Sequence, residues 1–147
     1  MDDLDVGSAI ARGAADAVVV TDRAGVITHW NPGAERVFGF AAAEALGETL
    51  DLIIPEKLRK AHWAGYWQFV ESGTGKYDVG HLLKVPALTK SGTTISVEFT
   101  LVAVTDAEGA VTHAVAVMRD VTAGFDELRL LRRRVRELES RSENAQI

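Results

Sequence analysis

Residues 16–32 read DAVVVTDRAGVITHWNP, and this stretch decides how the chain folds. Its β-branched runs, 17–21 and 26–30, are typical of strands. Between the two runs, Gly25 supplies the positive φ that a tight turn needs, so we predict a hairpin. Asn31 is a good N-cap and Pro32 suits the first position of a helix. The sequence therefore predicts a hairpin followed directly by a helix.

Helices occupy the next part of the chain. Two short ones, over 33–38 and 41–46, end at glycines, and a longer one is predicted from about 56 to 71. The apolar stripe predicted for this longer helix consists of Leu58, Ala61, Gly65 and Phe69. His62 is predicted to lie beside that stripe.

Three strand-like segments follow, over 79–89, 93–105 and 110–121. Pro86 lacks an N–H for a strand ladder, so the first of them is predicted to be an edge strand. The second alternates between two faces, and its apolar face carries Ile95, Val97, Phe99 and Leu101. At the other end of the chain, apolar residues spaced over 3–14 predict a short amphipathic helix.

The tail from about residue 123 is predicted to be a charged helix. Its apolar residues fit the a and d positions of a heptad repeat: Val121, Leu128, Leu131, Val135 and Leu138. This pattern favours a dimer stalk or a signalling helix, with a helix folded back on its own sheet as the alternative. Glutamates lie near the arginine run 132–134 in the same helix. This mixture of charges favours a solvated face over a nucleic-acid site.

Composition excludes several classes of protein. The chain has 147 residues, of which 47% are hydrophobic, and a net charge of −5, so we expect one domain with a real core and no nucleic-acid partner. It has no cysteine, which excludes disulfides, thiolate metal sites and a flavin adduct at cysteine. Because no apolar run reaches the roughly 18 residues of a membrane span, and the N-terminus is acidic, we expect a cytoplasmic protein. No nucleophile–base set or phosphate loop stands out, so we expect no enzymatic activity.

Taken together, these elements and five motifs resemble the PAS domain. The motifs are the runs 16–22, 25–35, 38–40, 90–93 and 119–122. The resemblance implies an α+β fold: a five-stranded antiparallel sheet with short helices and one long helix across one face. It divides the chain into an N-terminal helix over 1–14, the PAS domain over 15–122, and a C-terminal signalling helix over 123–147. PAS domains are sensor and dimerisation modules, so the resemblance also implies a homodimer.

The segment Pro55-Glu56-x-x-Arg59-x-x-His62 is similar to the one with which FixL-type oxygen sensors bind haem. That similarity implies haem b as cofactor, His62 as the axial ligand of its iron, and a diatomic gas or redox state as the signal. Trp63 is an extra residue relative to that family. It shifts the rest of the helix by about 100° relative to His62.

A bound haem needs an apolar slot beside its ligand. The resemblance implies the following cofactor contacts: Tyr66, Leu83, Val97, Phe99, Leu101, Ala114 and Ala116. Lys57, Arg59 or Lys60 would meet the propionates, and His81 is a weaker candidate for a sixth ligand. In that family an arginine donates a hydrogen bond to bound oxygen, and Leu83 stands at its position here. Leucine cannot donate a hydrogen bond, so we expect binding of carbon monoxide or nitric oxide, or a different oxygen chemistry.

Other interpretations of His62 stay open. A histidine on such a helix is also an ordinary half-exposed structural residue, and Trp63, Tyr66 and Trp67 are typical of core or dimer contacts. The chain would then be a ligand-free PAS interaction module, or one that binds another small apolar ligand. It would associate through the N-terminal helix, the outer face of the sheet and the tail. With no effector segment, it would act on a partner in trans or form part of a longer sensor.

Overall fold

The computed structural model describes residues 3–73 and 82–145, without the side chains of residues 3–5 and of Phe125. In this part of the chain, five strands form one antiparallel sheet in the order β2-β1-β5-β4-β3. The helices are α1 (Asp3–Gly13), α2 (Pro32–Phe38), α3 (Ala42–Ala45), α4 (Arg59–Ser72) and α5 (Thr122–Ala145). The strands are β1 (Ala17–Asp22), β2 (Ile27–Trp30), β3 (Leu83–Leu88), β4 (Thr94–Thr105) and β5 (Val111–Asp120). The predicted α+β architecture, a five-stranded antiparallel sheet with short helices and one long helix, is confirmed.

The predicted hairpin is present and its turn is closed by Asp22. The Asp22 carboxylate accepts hydrogen bonds from the backbone N–H groups of Ala24 and Val26, at 2.9 and 3.0 Å. Gly25 has a φ of +82°, the left-handed conformation that glycine adopts at no steric cost. This turn brings the end of β1 beneath the helices that follow.

Asn31 ties three elements together from a buried position. Its side-chain oxygen caps α2 by accepting from Ala34 N at 2.8 Å, and it also accepts from Val18 N at 2.7 Å. Its amide donates to the carbonyl oxygens of Ala11 and Asp16, at 2.8 and 3.0 Å. Because all four hydrogen-bonding positions of this carboxamide are used, it fixes the end of α1 and the start of both β1 and α2.

The sheet has an inner face, covered by the helices, and an outer face. On β1 the inner face carries Ala17, Val19 and Thr21, all buried. Their pairing partners on β5 and β4 continue this face: Met118, Ala116, Ala114, Phe99, Leu101 and Ala103. The apolar alternation predicted for β4 is therefore confirmed. The outer face is rich in valine: Val18, Val20, Val102, Val104, Val115 and Val117.

Two clusters of buried side chains form the core of the described residues. The larger one joins the hairpin and the short helices to the middle of the sheet, and Phe38 is its largest fully buried side chain. The smaller one joins α4 to the start of β5, where Tyr66, Phe69 and Val70 pack on Val111 and Ala114.

The structure corrects three details of the sequence interpretation. The long helix begins as a 3₁₀ turn, Glu56–Leu58, before α4. The predicted stripe is wrong at Ala61 and Gly65, which are exposed, and right at Phe69, which is buried. Pro86 does lie on an edge strand, although β3 spans only 83–88; residues 79–81 of the prediction lie outside the described part. The fold-back alternative for the tail is wrong. The apolar a and d residues of α5 from Leu128 to Leu138 are 45–54% exposed.

The start of α5 is anchored to the sheet. Thr122 Oγ1 accepts from Ser96 N at 2.9 Å, and Val121 N donates to Ser96 O at 2.9 Å. Just before it, the Arg119 guanidinium forms a two-point ion pair with the Asp16 carboxylate, at 3.2 and 3.3 Å. Among the helices described, none is both long enough and apolar enough to cross a membrane.

Candidate functional site

The candidate site lies where α4 crosses the inner face of the sheet, at the end of β1 and the start of β5. His62 and Tyr66 stand one turn apart on the face of α4 that is turned toward the protein. Tyr66 is buried and His62 is half-buried. The predicted position of His62 beside the apolar stripe is therefore replaced by a position on the buried stripe itself.

The His62 imidazole packs near two aromatic rings. Its centroid lies 4.8 Å from that of Trp63, edge to face, and 6.0 Å from that of Tyr66. Its Nδ1 atom is buried and has no hydrogen-bond partner among the residues described. Burial lowers the pKa of His62, opposed by the negative charge of Asp51, so the neutral imidazole is favoured. Neutral imidazole is the form that binds metals.

Trp63 is held firmly beside this histidine. Its indole N–H donates to the Asp51 carboxylate at 2.8 Å, and its ring stacks on Trp67 at 5.4 Å. A Cβ added to Gly25 would overlap the six-membered ring of Trp63. The indole therefore lies directly against the β1–β2 turn.

Tyr66 fastens α4 to β1. Its hydroxyl donates to the backbone carbonyl of Asp22 and accepts from Thr21 Oγ1, which lies 2.8 Å away. Thr21 is 3% exposed, so this pair satisfies two polar groups inside the core. Burial raises the pKa of the Tyr66 phenol, which keeps it protonated. The hydroxyl of this predicted cofactor contact is thus already engaged within the protein.

The other predicted contacts share the inner face of the sheet. Leu83 pairs with Phe99, and Leu101 pairs with Ala116. Leu101 and Ala114 pack in the cluster below α4, whereas Val97, Phe99 and Ala116 pack in the larger cluster. The strand register therefore places these residues on the inner face of the sheet, although their packing is divided between the two clusters: Leu83, Val97, Phe99, Leu101, Ala114 and Ala116. Their role as cofactor contacts stays a prediction.

The three basic residues that are predicted to meet the haem propionates differ in their contacts. Arg59 donates from Nε to Ile54 O at 3.0 Å and from Nη2 to Asp51 O at 3.3 Å, so its guanidinium braces the loop before α4. Lys57 and Lys60 are exposed near the start of the helix. His81, the candidate sixth ligand, lies outside the described residues.

Sequence reasoning missed two residues of this site. Thr21 was visible as a polar residue at an inward position of β1, since it follows Ala17 and Val19 with a period of two. Asp51 gave no signal, because it belongs to a short 3₁₀ turn, Leu50–Leu52, that only the tertiary fold brings to Trp63.

The donor set fits a haem better than a bare metal ion. The described site offers one imidazole whose neutral form burial favours, on a helix that packs on the apolar inner face of the sheet, and a single axial histidine is how many proteins hold haem iron. The buried Nδ1 without a partner among the described residues is an atom that a bound group or a water would satisfy.

Comparisons with known proteins agree with this architecture. The family model described as PAS fold matches residues 7–121. The sensor protein FixL of Bradyrhizobium diazoefficiens is 38% identical over 47 residues, which are 32% of this chain and 9% of that protein. An uncharacterized protein of Azorhizobium caulinodans is 31% identical over 87 residues, 58% of this chain and 12% of that one. This chain thus matches only about a tenth of the length of either relative.

A solved structure supports the fold independently. The PAS domain of a protein from Colwellia psychrerythraea superposes with a TM-score of 0.72 at 24% identity, covering 83% of this chain and 99% of that one.

Proposed function

The chain belongs to the PAS family, and from that premise we propose that it is a sensory domain that binds haem b through His62. The signal would be a diatomic gas or the redox state of the iron, and the output would pass through α5 to an effector. The similarity to the FixL sensor protein supports this choice among the ligands that PAS domains take.

The observation that carries the proposal is the state of His62. Its Nδ1 is buried without a partner among the described residues, and burial lowers its pKa. An ordinary surface histidine would be solvated and free to protonate near pH 6.5. A histidine whose burial favours the neutral form is suited to a metal bond.

Bound haem would supply an iron atom that takes up a diatomic gas or changes oxidation state. The residues of this chain would hold the ligand ring, exclude water and set the polarity around it. Leu83 offers no hydrogen bond, so we expect the domain to bind carbon monoxide or nitric oxide in preference to oxygen.

The route from the site to α5 follows the strands. Leu101 and Phe99 lie on β4, and Ser96 on the same strand accepts and donates the two hydrogen bonds that anchor α5. A shift of β4 would therefore reach the start of the output helix through two short contacts.

The test is the absorption spectrum of the chain after expression with added haemin. We expect a red protein with a strong Soret band, and loss of that band in His62→Ala, because the variant lacks the axial ligand. His113→Ala is the matched control, since His113 lies on β5 with its Nδ1 3.0 Å from Thr112 Oγ1, away from α4. This control should keep the wild-type spectrum. A colourless wild-type protein, or a band that His62→Ala leaves intact, would refute the proposal.

A second candidate function is homodimerisation, and one observation favours it. Apolar side chains are exposed on three elements of the described chain. Val6 and Ile10 are 40% and 63% exposed on α1, Val102 is 50% exposed on the outer face of the sheet, and Leu131 is 54% exposed on α5. A second copy of the chain would cover these surfaces, and this association is compatible with haem binding.

Adding a charge to the outer face should weaken such a dimer. We expect Val115→Glu to shift the chain from dimer to monomer in size-exclusion chromatography with light scattering, because Val115 pairs with Val20 and Val102 at the centre of that face. Removal of residues 124–147 should act in the same direction. Ala107→Glu, in the exposed turn between β4 and β5, should leave the mass unchanged. A wild-type chain that elutes as a monomer would contradict the dimer.

A further inference from the structure

We propose that Trp63 and Asp51 are positioning residues for the His62 imidazole, with Asp51 holding the indole and the indole holding the imidazole. This inference rests on the proposed haem site and adds to it the residues that orient the ligand. Trp63 is the residue by which this helix departs from the haem-binding pattern. The insertion therefore supplies a support for the ligand.

The Trp63 ring has no freedom to turn. Its N–H is bonded to the Asp51 carboxylate at 2.8 Å, and one ring face stacks on Trp67 at an interplanar angle of 23°. Tyr66 meets it edge on, with 5.3 Å between centroids. The turn at Gly25 closes the remaining side, since a Cβ there would overlap the indole. An indole enclosed in this way has one orientation.

His62 takes its orientation from this ring. The two rings lie 4.8 Å apart at an interplanar angle of 76°, a favourable edge-to-face geometry. Hydrogen bonds do not fix the buried edge of the imidazole, because Nδ1 has no partner among the residues described. Ring packing is therefore what holds the imidazole plane, and Trp63 is the nearest ring.

Asp51 is the residue that holds the indole. Its carboxylate accepts from Trp63 and lies 3.9 Å from Arg59 Nε, while Arg59 also donates to Asp51 O. The Arg59–Asp51 ion pair is about two-fifths exposed and contributes little by itself. Its effect is to hold the acceptor in place for the indole. Residues that orient a metal ligand in this indirect way typically change metal affinity by about 10–100-fold when they are replaced.

The experiment compares four variants by haemin titration of the Soret band and by electron paramagnetic resonance of the ferric protein. Trp63→Phe keeps a ring but loses the N–H, and Asp51→Ala removes the acceptor. Asp51→Asn restores an acceptor oxygen without the charge. Gln68→Ala is the matched control on the same helix, because Gln68 is exposed and lies outside the cluster of rings.

We expect Trp63→Phe and Asp51→Ala to weaken haemin binding by about tenfold or more and to broaden the ferric resonance, because the ligand plane is no longer fixed. Asp51→Asn and Gln68→Ala should stay within about threefold of the wild type, as expected when the indole remains tethered. Circular dichroism melting curves check that each variant is folded.

Two outcomes overturn the inference in different ways. If the wild type binds haemin through His62 but Trp63→Phe and Asp51→Ala keep its affinity and resonance, only the positioning role fails. If the wild type takes up no haemin, its own spectrum shows that the proposed function fails, and the positioning role fails with it.

Discussion

Phe38→Ala is expected to lower the free energy of unfolding by about 3–5 kcal/mol. Phe38 is fully buried, is the largest such side chain in the described core, and packs on Trp30 with 5.4 Å between ring centroids. Truncation loses the transfer free energy of the ring and leaves a cavity between the sheet and α2. Urea unfolding followed by tryptophan fluorescence measures the loss.

Leu130→Ala is the control for Phe38→Ala. Leu130 is 65% exposed on α5, so its truncation should change the free energy of unfolding by less than about 0.5 kcal/mol. A Phe38→Ala variant as stable as the wild type would mean that α2 does not pack on the sheet in the way described.

Gly33→Ala is expected to destabilise the domain by about 3 kcal/mol or more, even though Gly33 has an ordinary helical backbone. A Cβ there would lie 2.6 Å from the carbonyl carbon of Asp16 and 2.9 Å from the carbonyl oxygen of Ala15. These are backbone atoms, so relief requires moving the start of β1. That movement would also disturb the hydrogen bond from Asn31 to Asp16 O.

Gly65→Ala provides a control of opposite sign. Gly65 lies inside α4, and nothing approaches within 4 Å of a Cβ placed there. Alanine should therefore stabilise the helix by about 0.5–1 kcal/mol. Both variants replace a glycine by alanine. If both changed the free energy of unfolding in the same direction, that result would contradict the close contact at Gly33.

Much of this fold could be predicted because its signals are local. The hairpin follows from a β-branched run and one glycine, and the edge position of β3 follows from Pro86. The shared face of Leu83, Phe99 and Leu101 follows from strand periodicity, once the pairing of β3 with β4 is known.

The site was harder to predict because its contacts are long-range. The stripe on α4 was misplaced because alanine and glycine were counted as buried, whereas Tyr66 and Val70 carry the packing. Tyr66 finds its partners 44 and 45 residues away on β1. The bond from Trp63 to Asp51 joins a helix to a turn whose position depends on the whole core. Local patterns contain no information about either contact.

The ion pair between Asp16 and Arg119 has a consequence for protein engineering. These side chains meet at 3.2 Å, and the neighbouring residues Ala17 and Met118 pair across adjacent strands. The chain thus enters the sheet and leaves it at the same end of two adjacent strands, about 5 Å apart. A domain with such closely spaced ends can be inserted into a surface loop of a host protein while the two ends of that loop stay close together. We therefore expect residues 15–121 to be transferable as an insert. The activity of a host enzyme would then change when the inserted domain binds its ligand.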